Sequence, residues 1–304
     1  MSSLAGPLLL VAGLVLVLSG ADLFFKGLLA TAARFRASPY VLTVVVSGFE
    51  LENLAAGIAL DVKGLGNGAA GTFLGGTTFL ALAVPGLAAV VSPIRTRMPL
   101  PVLAWTAAAP LPVFGLGVDG DLSRIDGALL VAWFAVALTG IARSGRHLLG
   151  SPTTEWRRYP VGRMLAGLAL ISGAGELLGE GLRRVVRHFD VSATLLGNTT
   201  LAPAVEVEEV ARVAVPAARG RGDLALGNVF GTIAHFSAFN AGVIALVRPI
   251  QLDEATRDLH LPIAGASALM LAALVAWRRG LHRGDGVGLL LIYAVYVAAA
   301  VAKG

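Results

Sequence analysis

Long apolar stretches separated by short polar loops follow one another along the whole chain. Most of them are close to the roughly 20 residues that a helix needs to cross a bilayer. The fourth contains Pro99, Pro101, Pro110 and Pro112, which weaken a helix because proline lacks a backbone donor. The pattern predicts an all-α membrane protein with ten transmembrane helices, at 4–25, 39–60, 68–92, 99–118, 127–142, 163–182, 191–213, 223–247, 261–277 and 286–302.

The pattern of polar residues inside the apolar stretches occurs twice. Residues 12–23 resemble 166–177, residues 50–72 are spaced like 206–228, and Arg-x-Asp-Gly at 124–127 recurs at 283–286. The offsets are 154, 156 and 159 residues, in the same order along the chain. Such ordered self-similarity predicts two copies of one unit. We expect a first five-helix repeat at 1–142, a cytoplasmic linker at 143–162 and a second five-helix repeat at 163–304.

Loop charges predict how these repeats are oriented. Lysine and arginine residues of membrane proteins concentrate in cytoplasmic loops. The basic loops are 26–38, 93–98, 143–162, 214–222 and 278–285, whereas 119–126 and 248–260 are mostly acidic. Placing the basic loops in the cytoplasm puts both termini outside and gives the two repeats opposite orientations. Only a loop with Arg183, Arg184 and Arg187 disagrees. Inverted repeats of this kind build many secondary transporters.

Composition narrows the class of protein further. The 304 residues are 56% apolar and 14% charged, with a mean hydropathy of +0.77, which is typical of a multi-pass protein of the cell membrane. The net charge of +5 lies mainly in the loops, so nucleic acid is not an expected partner. The chain has no cysteine, which excludes disulfides and thiolate sites. The expected partners are inorganic cations and the lipid bilayer, and the oligomeric state is left open.

Carboxylates inside two of the predicted helices mark the candidate site. Each costs roughly 2.5 to 3.5 kcal/mol to insert into lipid, so intramembrane carboxylates usually have a function. Helical spacing puts Glu50 and Asn53 on the same face as Thr43, and puts Glu206 and Glu209 on the equivalent face, 156 residues later. Carboxylate and hydroxyl oxygens suit a hard cation such as calcium. Neighbouring carboxylates also raise the pKa of one another, because their charges repel, and this favours binding of a proton when no ion is bound.

Simpler structural roles explain several other residues. Arg212, one turn further on, is an available partner for Glu208, and Glu52 lies off the Glu50 face, so a structural and a functional role stay equally open for both glutamates. The Gly-x-x-x-Gly spacings at 71–75 and 227–231 predict close helix packing. Packing or a hydrogen bond explains His235 better than ion binding does. Ion pairs with Lys26 and Arg184 at the membrane surface are expected for Asp22, Glu176 and Glu180.

One motif resembles a known family. Asp223-Leu-Ala-Leu-Gly-Asn-Val-Phe-Gly-Thr232, with Asn228 placed 19 residues after Glu209, is similar to the alpha repeats of the calcium/cation antiporter superfamily, which includes the sodium/calcium exchangers. The resemblance implies that Glu209 coordinates the ion, that Thr232 is a ligand and that Asn228 is a turn residue.

The first copy of the motif departs from this family. Asn53 occupies the place of the glutamate, and Gly76 stands where a serine ligand is usual. Leu80 and Phe236 replace a polar residue in the two copies. The family's Thr/Ser-x-Pro-Glu is absent from both copies.

Together these features predict a secondary active cation antiporter. Calcium or another cation would exchange for sodium or protons by alternating access to a site near the bilayer midplane, with no bound cofactor. The predicted cation ligands are Glu50, Glu52, Asn53, Thr77, Glu206, Glu209, Asn228 and Thr232. Alternatives are a transporter of another substrate on the same scaffold and a non-transporting scaffold or binding protein. An enzyme is not expected, because the membrane segments contain no His-Glu-x-x-His and no Ser/His pair at suitable spacing.

Overall fold

The computed structural model describes residues 5–48, 51–96, 98–145, 158–188 and 207–303, and most of them are helical. The helices of the first half are α1 (Ala5–Phe35), α2 (Pro39–Ser47), α3 (Leu51–Val62), α4 (Gly66–Val91), α5 (Leu100–Ala108), α6 (Leu111–Leu116) and α7 (Arg124–Gly145). The second half contains α8 (Pro160–His188), α9 (Val207–Ala218), α10 (Gly222–Ala234), α11 (Ala241–Val247), α12 (Leu261–Arg278) and α13 (Arg283–Lys303). Two π-helical turns, His235–Asn240 and Thr256–His260, precede α11 and α12. Four short strands complete the described elements, β1 (Ile94–Arg95), β2 (Asp121–Leu122), β3 (Ile250–Gln251) and β4 (Gly280–Leu281).

Eight segments of the described residues are helical, long and apolar enough to cross a membrane. They confirm eight of the predicted spans: Ala5–Phe35, Gly66–Val91, Leu100–Asp119, Arg124–Gly145, Pro160–Gly181, Gly222–Val247, Thr256–Arg278 and Arg283–Ala302. The predicted helix 39–60 is present instead as two shorter helices, α2 and α3. Of the predicted helix 191–213, the described residues contain only the part that lies in α9.

Two of the predicted loops are wrong, because charged residues continue the helices there. Helix α1 extends to Phe35 through most of the predicted loop 26–38, and α8 contains Arg183, Arg184 and Arg187. Ion pairs one turn apart stabilise these extensions. Lys26 Nζ lies 2.7 Å from Asp22 Oδ2, and Arg184 Nε lies 2.7 Å from Glu180 Oε1, which confirms the pairs expected for these carboxylates.

Helices α1 and α8 pack against each other along most of their length and run in opposite directions. Gly13 lies against Leu178, Gly20 against Ile171, and Gly27 against Met164. Glycine lets the two backbones approach closely, as in other membrane helix pairs. The first long helix of one half is therefore antiparallel to the first long helix of the other.

The element boundaries repeat with the offsets of the sequence motifs. Helices α4 and α10 begin 156 residues apart, as do β1 and β3. Helices α7 and α13 begin 159 residues apart. Even the turns agree: Gly64 and Gly220 both take a positive φ, of 81° and 72°, just before α4 and α10. A left-handed backbone strongly favours glycine at such a turn.

The two halves interlock through exchanged contacts. β1 pairs with β4, and β3 pairs with β2, so each small sheet joins a strand of the first half to one of the second. The backbones of Gly86 and Gly286 contact each other where α4 packs on α13, and those of Gly127 and Gly242 do so where α7 packs on α11. The spans Gly66–Val91 and Gly222–Val247 are the most deeply buried of the eight and form the centre of the molecule.

Candidate cation site

Helix α10 lies in the centre of the protein, and its glycines let α2 approach closely. A Cβ atom on Gly227 would lie 2.9 Å from the ring of Tyr40, and one on Gly231 would lie 2.8 Å from the carbonyl oxygen of Val44. The predicted packing role is thus confirmed for Gly227 and Gly231. For Gly71 and Gly75 it stays a prediction: a Cβ atom on either would meet no described atom within 4 Å beyond its own helix and sequence neighbours.

Helix α2 places a carbonyl group beside α10. Ser38 caps the start of the helix by accepting a hydrogen bond from Val41 N, and Pro39 fits its first turn. The helix ends at Ser47, and terminal carbonyls lack partners within a helix. The Ser47 carbonyl oxygen accepts hydrogen bonds from Thr232 Oγ1 at 3.4 Å and from Arg212 Nη1 at 3.3 Å. It is an oxygen of the kind that coordinates hard cations.

Glu209, Asn228 and Thr232 form a buried polar cluster between α9 and α10. Glu209 is 0% exposed, and its Oε2 accepts a hydrogen bond of 2.8 Å from Asn228 Nδ2. Thr232 Oγ1 donates to the Asn228 carbonyl at 3.1 Å, in addition to its contact with Ser47. The structure therefore brings these three predicted ligands together. Their binding of a cation remains a prediction.

Arg212 already contacts the carboxylates of this cluster. Its Nη1 lies 2.6 Å from Glu209 Oε1, and its Nη2 donates to Glu208 Oε1 at 3.0 Å. The Arg212 side chain is 1% exposed, and those of Glu208 and Glu209 are 10% and 0% exposed. The predicted pairing of Glu208 with Arg212 is confirmed. The second pair, Arg212 with Glu209, was not predicted, although a spacing of three residues on one helix makes it possible.

Thr77 is the predicted ligand of the first half whose side chain the structure describes as fully buried. Its Oγ1 has no hydrogen-bond partner among the described residues. The ring of Phe236 lies directly against Gly76, and Leu80 is also fully buried. Asn53 lies in α3 and is partly buried.

The remaining predicted ligands are beyond what the structure describes. Glu50, Glu206 and the side chain of Glu52 lie outside the described residues. Within the described residues, no group of three or more histidine, aspartate or glutamate side chains is arranged to hold a metal ion.

His235 has the structural role that was predicted for it. Its Nδ1 is 2.8 Å from the Gly231 carbonyl oxygen, and its ring packs edge-on against Phe134 at 4.6 Å. Gly48 packs so closely against the same ring that a Cβ atom at this position would overlap it. His235 thus packs the start of the π-helical turn against α7.

Comparison with known proteins agrees with this architecture. The sequence model of the sodium/calcium exchanger protein family matches residues 5–142 and 159–302. Inner membrane protein YrbG of Escherichia coli is 27% identical, over 93% of this chain and 92% of its own. Sodium/calcium exchanger MaX1 of Methanosarcina acetivorans is 20% identical, over 95% of this chain and 97% of its own. The solved structure of the sodium-calcium exchanger NCX_Mj superposes with a TM-score of 0.84 at 22% identity, covering 98% of this chain and 99% of that one, so the two share a fold.

Proposed function

The chain belongs to the sodium/calcium exchanger protein family, and on this premise we propose that it is a secondary active cation antiporter. It exchanges calcium or another cation for sodium or protons, without a cofactor. One observation carries the proposal: Glu209, Asn228, Thr232 and the terminal carbonyl of α2 gather oxygen groups from three helices in the buried centre of an apolar protein. Intramembrane carboxylates in such a setting usually serve an ion pathway.

The ligands of the cation come from both halves of the chain. Glu209 supplies the charge, while Thr232 and the Ser47 carbonyl supply neutral oxygens. Asn228 orients the Glu209 carboxylate through the hydrogen bond to Oε2. Four further predicted ligands complete the proposed shell: Glu50, Glu52, Thr77 and Glu206. Asn53 takes the position of the first-half glutamate.

Helix directions support ten spans arranged as two inverted repeats. Four of the eight candidate spans precede α8, so α8 would run parallel to α1 if there were no other crossing. The two helices are antiparallel, which supports a fifth crossing, and we assign it to residues 39–62. Gly127 faces Gly242 and Phe134 faces Phe239, so α10–α11 is antiparallel to α7. That direction supports one more crossing between α8 and α10.

This arrangement suits alternating access at the membrane midplane. The repeats are residues 1–142 and 163–304, joined by a cytoplasmic linker at 143–162, with both termini outside. Rocking of one repeat bundle against the other exposes a fixed central site to each side in turn. The names of two similar proteins, the sodium/calcium exchanger MaX1 and the sodium-calcium exchanger NCX_Mj, support calcium and sodium as the first ions to test.

The experiment measures uptake of radioactive calcium by proteoliposomes, first under an imposed sodium gradient and then under a proton gradient. We expect one gradient to drive uptake, Glu209→Gln to abolish it and Glu180→Gln to preserve it. Glu180 is the matched control, because it makes an ion pair of similar length at the exposed surface of α8. Absence of uptake under both gradients would contradict calcium antiport.

A second candidate is favoured by the same geometry. Arg212 neutralises carboxylates that a cation would otherwise bind, and the family resemblance implies a polar residue at the position of Phe236. Both features favour a transporter of another substrate or a non-transporting scaffold. A protein of this kind would keep the fold and its stability but give no cation uptake under either gradient.

A further inference from the structure

The contacts of Arg212 are those that a hard cation would make. Two carboxylates, from Glu208 and Glu209, lie within 3.0 Å of its guanidinium nitrogens. A third oxygen, the carbonyl of Ser47 at the end of α2, accepts a hydrogen bond from Nη1. Calcium and sodium bind through the same donor types, carboxylates together with backbone carbonyls.

Burial separates this arginine from the others that pair with acids. Among the ion pairs of the described residues, both partners are less than a tenth exposed only in the pair of Arg212 with Glu209. In the pair between Arg221 and Asp223, for comparison, each side chain is 25% exposed. Burying an ion pair costs free energy, because both charges lose their hydration. The buried positive charge of Arg212 therefore points to a role in neutralising the carboxylates of the site.

We infer that Arg212 is a tethered cation, whose guanidinium occupies the position that an exchanged cation takes beside Glu208 and Glu209. This inference rests on the proposed antiport at the same site. Its physical basis is that an empty site with two uncompensated carboxylates is costly to bury. With Arg212 in place, the described part of the site keeps only one net negative charge when no ion is bound.

Two consequences follow for the transport cycle. An incoming cation must displace the guanidinium from Glu209 before it can bind, so its affinity is low. The empty site is also able to switch the side of the membrane to which it opens, because Arg212 neutralises one carboxylate during the transition. Entry of one cation then no longer strictly requires exit of another in the same cycle.

The test is calcium binding to the purified, detergent-solubilised full-length protein, measured by titration calorimetry. We expect Arg212→Gln to bind calcium at least about tenfold more tightly than the wild type, and Arg212→Lys to remain as weak as the wild type. Arg248→Gln is the matched control. Arg248 also donates to carbonyl oxygens at a helix end, those of Asp61 and Val62, but lies outside this cluster.

Free guanidinium provides a second measurement that does not depend on tight calcium binding. In Arg212→Ala, guanidinium ion should raise the melting temperature and compete with calcium, whereas it should do neither in the wild type. Preparation of this variant in calcium guards against loss of the fold. If calcium or guanidinium restores a variant that unfolds without them, the result also supports the inference.

The outcomes separate this inference from the proposed antiport. Equal calcium affinity in the wild type and Arg212→Gln, together with no effect of guanidinium on Arg212→Ala, would overturn the tethered cation. Gradient-driven uptake by the wild type would leave antiport standing in that case. Tighter binding by Arg212→Gln without any uptake by the wild type would support the tethered cation and contradict antiport.

Discussion

Glu209→Gln should destabilise the protein far more than the same change at Glu180. Both glutamates pair with an arginine at nearly the same distance, 2.6 Å for Glu209 with Arg212 and 2.7 Å for Glu180 with Arg184. The difference lies in burial. The first pair is almost completely enclosed, whereas the side chains of the second are 42% and 39% exposed.

The magnitude follows from the distance and the surroundings. At 2.6 Å and an effective dielectric constant of about 20, the gross attraction of two unit charges is about 6 kcal/mol. Desolvation offsets part of it, and loss of one partner of a buried pair costs about 3 to 5 kcal/mol. Because Arg212 keeps Glu208 as a partner, we expect a loss of about 3 kcal/mol. The exposed pair at Glu180 should contribute less than about 1 kcal/mol.

The assay is reversible unfolding by sodium dodecyl sulfate in mixed micelles, followed by tryptophan fluorescence. A double-mutant cycle of Glu209→Gln with Arg212→Gln isolates the energy of the pair. Equal losses of stability for Glu209→Gln and Glu180→Gln, or a coupling energy near zero, would refute the assignment of a buried pair to Arg212 and Glu209.

Three further predictions use the same unfolding assay. Gly231→Ala should lower the free energy of unfolding by about 1 to 3 kcal/mol, because its methyl group would lie 2.8 Å from a backbone oxygen of α2. Gly75→Ala should leave this free energy unchanged or raise it by about 0.5 to 1 kcal/mol. The reverse order of the two variants would contradict the packing described. Gly242→Ala should destabilise the contact with α7, where its methyl group would lie 2.8 Å from a carbonyl oxygen, and Gly288→Ala, which faces open space, should not. Ser38→Ala should cost about 1 kcal/mol through loss of the cap of α2, and an unchanged stability would count against that cap.

Hydrophobic periodicity predicted the helices well but their ends less well. Most spans were found because an apolar stretch of bilayer length has few other stable states. Helix α1 extends past Lys26 because Asp22 pairs with that lysine one turn away, which hydropathy alone does not measure. The break between α2 and α3 was also missed. Gly48 directly follows the end of α2 at Ser47, and a glycine is a common residue at a helix end.

The candidate site was only partly predictable. The family resemblance identified Glu209, Asn228 and Thr232, which meet in the fold because they lie on helices that pack together. The position of Arg212 between two acids was not foreseen. Helical spacing indicates which residues share a face, but which of them pair in the interior depends on how the neighbouring helices close around them.

The most direct test of alternating access is whether reagents reach the site from each of the two sides of the membrane. The chain has no cysteine, so the substitution Thr232→Cys introduces a single thiol at a buried position of the cluster. Membrane-impermeant thiol reagents should label this position from either side of oriented vesicles, and an imposed cation gradient should shift labelling from one side to the other. Labelling from neither side, or from one side only under every gradient, would contradict alternating access at this site.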